Sequence, residues 1–330
     1  MRRRNNDGKE LCEAFAAGRI EKRLFWQLMR EKNLPLVELR ELLALLPEGT
    51  RVEVDAEEVV LTFEGIRFAF DFSQTFCRAE SVLAMRGNPE QADFDFLGSL
   101  LGDDDVVFDI GANVGVVSLS LLHRQPRLGR IYAFEPLPPT FAHLRHNLAL
   151  NGTPEKIVPI NAGMGSELGS FDFYLPGADE AASLQPNLDA FYLQESVDGR
   201  YSGKQKMEKI ACRVETLDHF VSERGIQRVD LMKIDVEGNE KFVLEGGADV
   251  LEKYRPLVYA ELLRKHAKRF GYHPNEVLRM MEGLGYRCFT FTEGHLYPFA
   301  EMTEETEETN FFFLHEQRHA DILQAHVGRS

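Results

Sequence analysis

The stretch Asp109-Ile-Gly-Ala-Asn-Val-Gly115 lies between the apolar run Val106-Val107-Phe108 and the apolar segment Val116 to Leu122. Two glycines at such a handover suit a strand-turn-helix junction at the ligand edge of a sheet. Gly111 can take the tight turn, Gly115 lets the following helix approach closely, and the helix N-terminus offers N–H groups to an anion. Three readings fit the loop: a junction with no ligand, a dinucleotide site, and a site for S-adenosylmethionine. The spacing departs from G-x-G-x-x-G, although Glu135 ends the next predicted strand where a ribose-binding acid would stand. Asp109 discriminates between the two cofactors. A pyrophosphate beside it would meet a like charge, costing roughly 4 kcal/mol at about 4 Å and an effective dielectric of about 20. S-adenosylmethionine carries an ammonium, a sulfonium and one carboxylate. Asp109 then attracts the cationic part, the backbone at Asn113 to Gly115 receives the carboxylate, and Glu135 accepts both ribose hydroxyls.

A second dense stretch is VDLMKIDVEGNE, residues 229–240. Strand alternation puts Lys233 and Asp235 on one face, with Asp235 near the ligand end. Glu237 and Gly238 follow in the turn, and Gly238 or Asn239 opens the next helix. Taken alone, D-x-E-G is explained as well by helix capping and solvated charge. Lys233 in an apolar strand is different, because a buried Lys needs an acidic partner, and Asp235 or another carboxylate of the site is the candidate. An oxygen acceptor must lose a proton as it takes a methyl group. Asp235 is the candidate base or orienting group, with Lys233 and Glu237 as electrostatic partners. Glu261, closing PLVYAE, can converge on the same edge; His266, five residues later, is a weaker candidate and reads better as a surface helix residue. Asp235 and Glu261 can bracket a divalent cation, but no helper His or Asp-Asn pair accompanies them, so no metal is expected.

The elements that must position these groups follow from periodicity. Strands are expected at 106–110, 131–135, 157–161, 229–235 and 257–261, with helices at 114–124, 139–150, 239–253 and 273–284. Such alternation means a mainly parallel sheet covered on both faces. The segment 162–215 interrupts it with two strands, Gly169 to Tyr174 and Lys209 to Val214, around a long polar loop; loops of that length are more often functional or mobile than idle. Arg287 to Thr292 and Asn310 to Leu314 close the sheet. Upstream, residues 8–47 read as two helices and 51–72 as short strands with a Glu64-Gly65 turn. The expected organisation is an extension over 1–90, a catalytic domain over 91–316 and a polar tail over 317–330.

Bulk composition narrows the partners. Lys and Arg number 38 against 53 Asp and Glu, a net charge of −15, so a phosphate backbone is repelled and nucleic acid is not expected. The four cysteines are scattered with no metal-like spacing, which favours a reducing compartment. The basic N-terminus lacks a following apolar stretch, and no run reaches membrane-span length, so a cytoplasmic chain is expected. The apolar stripe of residues 11–46 packs on the core or forms a homodimer seam.

Together VVFDIGANVG, IYAFEP, NAGMG, AASL, VETLDHF, DLMKIDVEGNEKFVLEGG and NFFFLHE resemble the FkbM family of S-adenosylmethionine-dependent methyltransferases, over roughly residues 100–316. The resemblance implies a Rossmann-like class I methyltransferase sheet of seven strands, the last (Asn310 to Leu314) antiparallel. Carried over by residue, it implies a donor loop of Asp109, Gly111, Asn113 and Gly115, and Glu135 as ribose acid. Asn161 and Ala162 would lie by the adenine, and Ser183 and Asp235 would face the transferred methyl. The implied activity is O-methylation of a hydroxyl on a sugar, glycan or polyketide-like metabolite. The rivals are a dinucleotide-dependent oxidoreductase, disfavoured by loop spacing and Asp109, and a non-catalytic binding module, disfavoured by the intact acids Asp109, Glu135 and Asp235.

Overall fold

The alternation over residues 51–72 produces three antiparallel strands, β1 (Arg51–Val54), β2 (Val59–Phe63) and β3 (Ile66–Phe70). Glu64 and Gly65 both take positive φ, 49° and 84°. A two-residue turn of that hand matches strand twist and fixes the β2–β3 register. The computed structural model describes residues 51–54, 59–70, 91–153, 155–175 and 208–328. The helices expected over 8–47, and with them any dimer seam, lie outside these residues. The chain divides into two units after Gln91.

The helix Gln91–Leu100 begins at that boundary, and the second unit continues with β4 (Val106–Ile110), then β5 (Arg130–Phe134) and β6 (Ile157–Ile160). Three short-sheet strands follow: β7 (Gly163–Met164), β8 (Gly169–Leu175) and β9 (Glu208–Glu215). The main sheet resumes with β10 (Leu231–Ile234), β11 (Leu257–Glu261), β12 (Tyr286–Thr292), β13 (His295–Pro298) and β14 (Asn310–His315). Its order is β13-β12-β14-β11-β10-β4-β5-β6. Strands β11, β10, β4, β5 and β6 run parallel, and β14 is antiparallel to both neighbours. That is the expected methyltransferase sheet with one addition, the eighth strand β13. It escapes sequence reading because His295-Leu-Tyr-Pro is too short to alternate, and its Pro is tolerated only at an edge.

Register sorts the side chains by face. Asp109, Lys233, Tyr259 and Phe312 are successive partners across β4, β10, β11 and β14, so they share one face. Phe96 packs edge-on against Phe312 there, and Tyr259 donates to Asp93 at 2.7 Å. On the other face Phe108, Phe134 and Phe220 meet edge to face, and Phe311 and Phe313 join the same core. The triple Phe is therefore core on both sides.

Two further differences have physical causes. The helix expected over 239–253 is two, Glu240–Glu245 and Ala248–Tyr254. At the break, a Cβ on Gly246 would lie 2.1 Å from the Gly165 carbonyl oxygen, so glycine permits a close backbone approach that an unbroken pattern conceals. The expected polar tail contains the helix Ala320–His326, whose His326 ring meets Phe96 at 5.1 Å, and Val327 bridges to Leu296.

The junction from β14 into that helix is capped by neutral imidazoles. His319 Nδ1 accepts from the His315 amide at 2.9 Å, and His315 Nδ1 accepts from Gln317 and Arg318 amides. Burial first, then Arg318 and His315, push His319 down to about 4. Between about 6.5 and 4 the unfolded chain therefore binds more protons at this residue, and its contribution to stability falls as pH falls, by about 3 kcal/mol in all. Glu237 and Glu240 shift in the opposite sense. The expected result is thus a difference: urea midpoints of wild type and His319→Asn should converge between pH 7.5 and 5. Parallel curves would reject the cap.

Candidate active site

Gly111 and Asp235 meet where β4 and β10 end side by side. Gly111 has φ +78°, and a Cβ there would lie 1.9 Å from the Asp235 carbonyl oxygen. The Asp235 amide in turn donates to Ile110 O at 3.1 Å. The two motif stretches are thus one structure, locked backbone to backbone. Glu261 stands one residue beyond the last β10–β11 pair, Ile234 with Ala260, which puts it level with Asp235 on the same edge. Lys233 lies beneath, 3% exposed. Its Nζ donates to Gly111 O at 2.8 Å and sits 3.4 Å from Asp109 and 3.5 Å from Asp235. The acidic partner required of a buried Lys is therefore two carboxylates and a carbonyl.

Asp109 is not at the loop mouth. It lies two residues, about 7 Å of strand, below Gly111 and is 0% exposed. One oxygen accepts from Ser118 Oγ at 2.6 Å, and the other, Oδ1, faces Lys233 without a hydrogen bond. Its charge is met inside the protein. The loop amides are also largely committed: Gly111 and Ala112 donate to Phe134 O, Gly115 to Ala112 O, and Asn113 to Glu135 Oε2 at 3.1 Å. The backbone expected to receive a carboxylate thus has the amides of Asn113 and Gly115 in use already.

What the loop does provide is a cradle with a fixed acid. Gly111, Asn113 and Gly115 take φ of 78°, 50° and 93°, a conformation open to glycine and tolerated by asparagine. A Cβ on Gly115 would meet Leu144 at 2.8 Å. Glu135 is held from two sides, by the Asn113 amide and by the Leu137 amide at 2.9 Å. Carboxylate oxygens accept more than one hydrogen bond each, so this pinned acid fits a vicinal diol. Asn161 follows β6 and donates to the Glu135 and Pro136 carbonyls, while Ala162 is fully buried. Ser183 lies outside the described residues.

The turn after β10 brings in groups from two later segments. Glu237 has φ +57°, a strained position for a non-glycine residue. Its Oε2 lies 3.1 Å from His266 Nδ1. His266 is 8% exposed, which corrects the surface-helix expectation. The short helix Arg264–Ala267 turns it inward, and the His266 carbonyl would lie 2.8 Å from a Cβ on Gly238. Burial, with the Asp235 and Glu240 charges behind it, raises the Glu237 carboxyl to about 8. Burial, then Arg269 and Lys265, lowers the imidazole to about 3. Both shifts favour the uncharged form of each group and so work against an ion pair between them.

Sequence reasoning passed over Ser118, Glu240 and Tyr272, and set His266 aside as the weaker candidate. Ser118 had a signal, a hydroxyl inside the otherwise apolar run Val116 to Leu122, nine residues after Asp109. Glu240 completes D-x-E-G-x-E but looks like an ordinary first-turn helix acid. Tyr272 carried no signal, and the signal at His266, five residues after Glu261, was outweighed by its charged neighbours; the tertiary fold brings both to the β10 turn. One metal-capable group occurs among the described residues, Glu215, His219 and Glu223. Arg213 and Arg224 already pair with Glu215 and would repel a cation.

The Methyltransferase FkbM domain family matches residues 109–288, more than half of the chain. Similar proteins include the AMB antimetabolite synthetase AmbE of Pseudomonas aeruginosa, 28% identical over 62% of this chain and 11% of its own length. The 31-O-demethyl-FK506 methyltransferase FkbM of Streptomyces tacrolimicus is 32% identical over 46% of this chain and 63% of its own. The 2-O-methyltransferase NoeI of Sinorhizobium fredii is 27% identical over 48% and 63%. The chain therefore spans about a tenth of the first relative and under two thirds of the other two. With the pinned acid, the glycine cradle and the strand order in place, the chain belongs to the FkbM methyltransferase domain family, and its methyl donor is S-adenosylmethionine.

Proposed function

We propose that the chain methylates a hydroxyl oxygen of a small-molecule or glycan acceptor, a sugar or polyketide-like metabolite, with Asp235 taking the proton. The observation that carries this reading is the shared edge: Asp235 meets Gly111 backbone to backbone, Glu261 ends β11 level with Asp235, and Glu237 follows in the same turn. Two of the similar proteins bear names of O-methyl chemistry, on 31-O-demethyl-FK506 and at a 2-O position, which supports an oxygen acceptor. Among the described residues no helix is long and apolar enough to cross a membrane.

S-adenosylmethionine supplies a methyl group on a sulfonium, displaced in line with the C–S electrons returning to sulfur. The protein's work is positioning and proton handling. Glu135 holds the ribose hydroxyls, and Asn161 and Ala162 border the adenine. The first amides of the helix Val116–Arg124 receive the carboxylate, since Gly115 at its N-cap has no side chain to cap them. Asp109 acts from below, fixing Lys233 and Ser118. Lys233, 3.5 Å from Asp235, orients its carboxylate, so that Asp235 accepts the acceptor's hydroxyl proton as the O–CH3 bond forms. Glu237 and Glu261 orient the acceptor.

The test uses isotopically labelled donor and an extract of cells or of a biosynthetic system, with mass spectrometry of the products. A product heavier by one labelled methyl on oxygen is expected. Asp235→Asn should slow its formation by about a thousandfold while calorimetry finds donor affinity unchanged. Methyl on nitrogen, or full turnover by Asp235→Asn, would reject the assignment.

A further inference from the structure

We propose that Glu240 and Tyr272 are positioning residues of the active site, a buried clamp that sets the Asp235–Gly238 turn. This rests on the proposed function, since Asp235 and Glu237 are the groups it would aim. Glu240 is 2% exposed and Tyr272 is 7% exposed. Glu240 Oε1 accepts from the Val236 amide at 3.2 Å and the Gly238 amide at 3.0 Å, the two N–H groups that flank Glu237. The Tyr272 hydroxyl lies 3.0 Å from Gly238 O and 3.2 Å from Glu240 Oε2, so it ties the same turn to the segment after β11. Neither residue belongs to the acidic edge itself. A third tie, Asn239 Nδ2 to Met164 O at 3.0 Å, fixes the far side of the turn.

The chemistry explains why so short a turn needs a clamp. Glu237 sits at positive φ without being glycine, and such a conformation persists only where the surroundings over-determine it. Gly238 cannot relax by gaining a side chain, because its missing Cβ faces the His266 backbone and Phe270. The backbone from 236 to 238 is therefore held by hydrogen bonds from buried groups, and the directions of the Asp235 and Glu237 carboxyls follow from it. Burial raises Glu240 to about 7, yet both amides bond to a carbonyl-type oxygen that is present in either protonation state. A clamp of this kind works by geometry and not by charge.

That distinction fixes the experiment. Glu240→Gln keeps an oxygen for both amides, Glu240→Ala removes it, and Tyr272→Phe removes only the hydroxyl. In full-length protein, hydrogen exchange at the Val236 and Gly238 amides is expected to quicken about tenfold in Glu240→Ala and to stay near wild type in Glu240→Gln. Binding of S-adenosylhomocysteine by calorimetry should stay within about threefold in both, and in Tyr272→Phe. The rate of labelled methyl incorporation at saturating donor should fall about a hundredfold in Glu240→Ala, less in Tyr272→Phe, and recover in Glu240→Gln. If Glu240→Ala fails to fold, Tyr272→Phe carries the same exchange and rate readouts at Gly238. Unchanged exchange overturns the clamp. Faster exchange with full turnover overturns its positioning role. A Glu240→Gln as slow as Glu240→Ala overturns the geometric mechanism in favour of a charged one. Should wild type itself transfer no methyl, the proposed function fails, and the exchange arm still decides whether the clamp exists.

Discussion

Gly111→Ala is expected to lose about a hundredfold or more in affinity for S-adenosylmethionine, as measured by calorimetry. Two effects combine at this residue. Alanine at φ +78° costs about 1 kcal/mol of backbone strain. The larger effect is steric, because the new Cβ would sit 1.9 Å from the Asp235 carbonyl oxygen, an overlap that only displacement of one loop can relieve. The Gly111–Gly115 loop is the part that can retreat, since Asp235 continues β10 and its amide is bound to Ile110 O. Retreat would break the Lys233 bond to Gly111 O and pull Asn113 away from Glu135. Gly152→Ala is the control, with φ +64° and nothing within 4 Å of its Cβ; it carries the strain without the overlap. Affinity within about threefold of wild type in Gly111→Ala would mean that the loop does not bind the donor.

Lys233→Met should cost about 3–5 kcal/mol of stability, read as a fall in Tm of about 10 °C for a unit of this size. Methionine preserves the unbranched stem and deletes the charge. Asp109, 0% exposed, then keeps a buried carboxylate beside Ser118 without its cation. The Gly111 carbonyl loses its donor as well. Because the penalty arises from an uncompensated ion, Asp109→Asn added to Lys233→Met should recover part of it, a coupling of at least about 1 kcal/mol in a double-mutant cycle. A strictly additive cycle, or a Tm unchanged by Lys233→Met, would show that the lysine is not held by Asp109.

Much of this molecule was legible in the sequence. Strand-helix alternation sufficed for a mainly parallel sheet, because hydrophobic period and turn residues are local properties, whereas the antiparallel β14 followed from the family resemblance. The apolar strand around Lys233 even demanded an acid nearby. What local pattern cannot carry is depth and cross-chain approach. Asp109 reads as a carboxylate at the loop mouth, yet it sits one side-chain row below, where Lys233 and Ser118 meet its charge. His266 reads as a surface residue on a charged helix, yet the turn after β11 folds it against Glu237.

The fold class came from local periodicity and the family from several motifs in order along residues 100–316. Packing of distant strands set how the acids are met inside, as where Lys233 and Ser118 hold Asp109. The tertiary structure also revealed that Glu240 and Tyr272, 32 residues apart, close on one turn. The physical reason is that a charge is defined by its partners, and those partners come from strands and turns whose meeting depends on register and packing rather than on neighbouring letters.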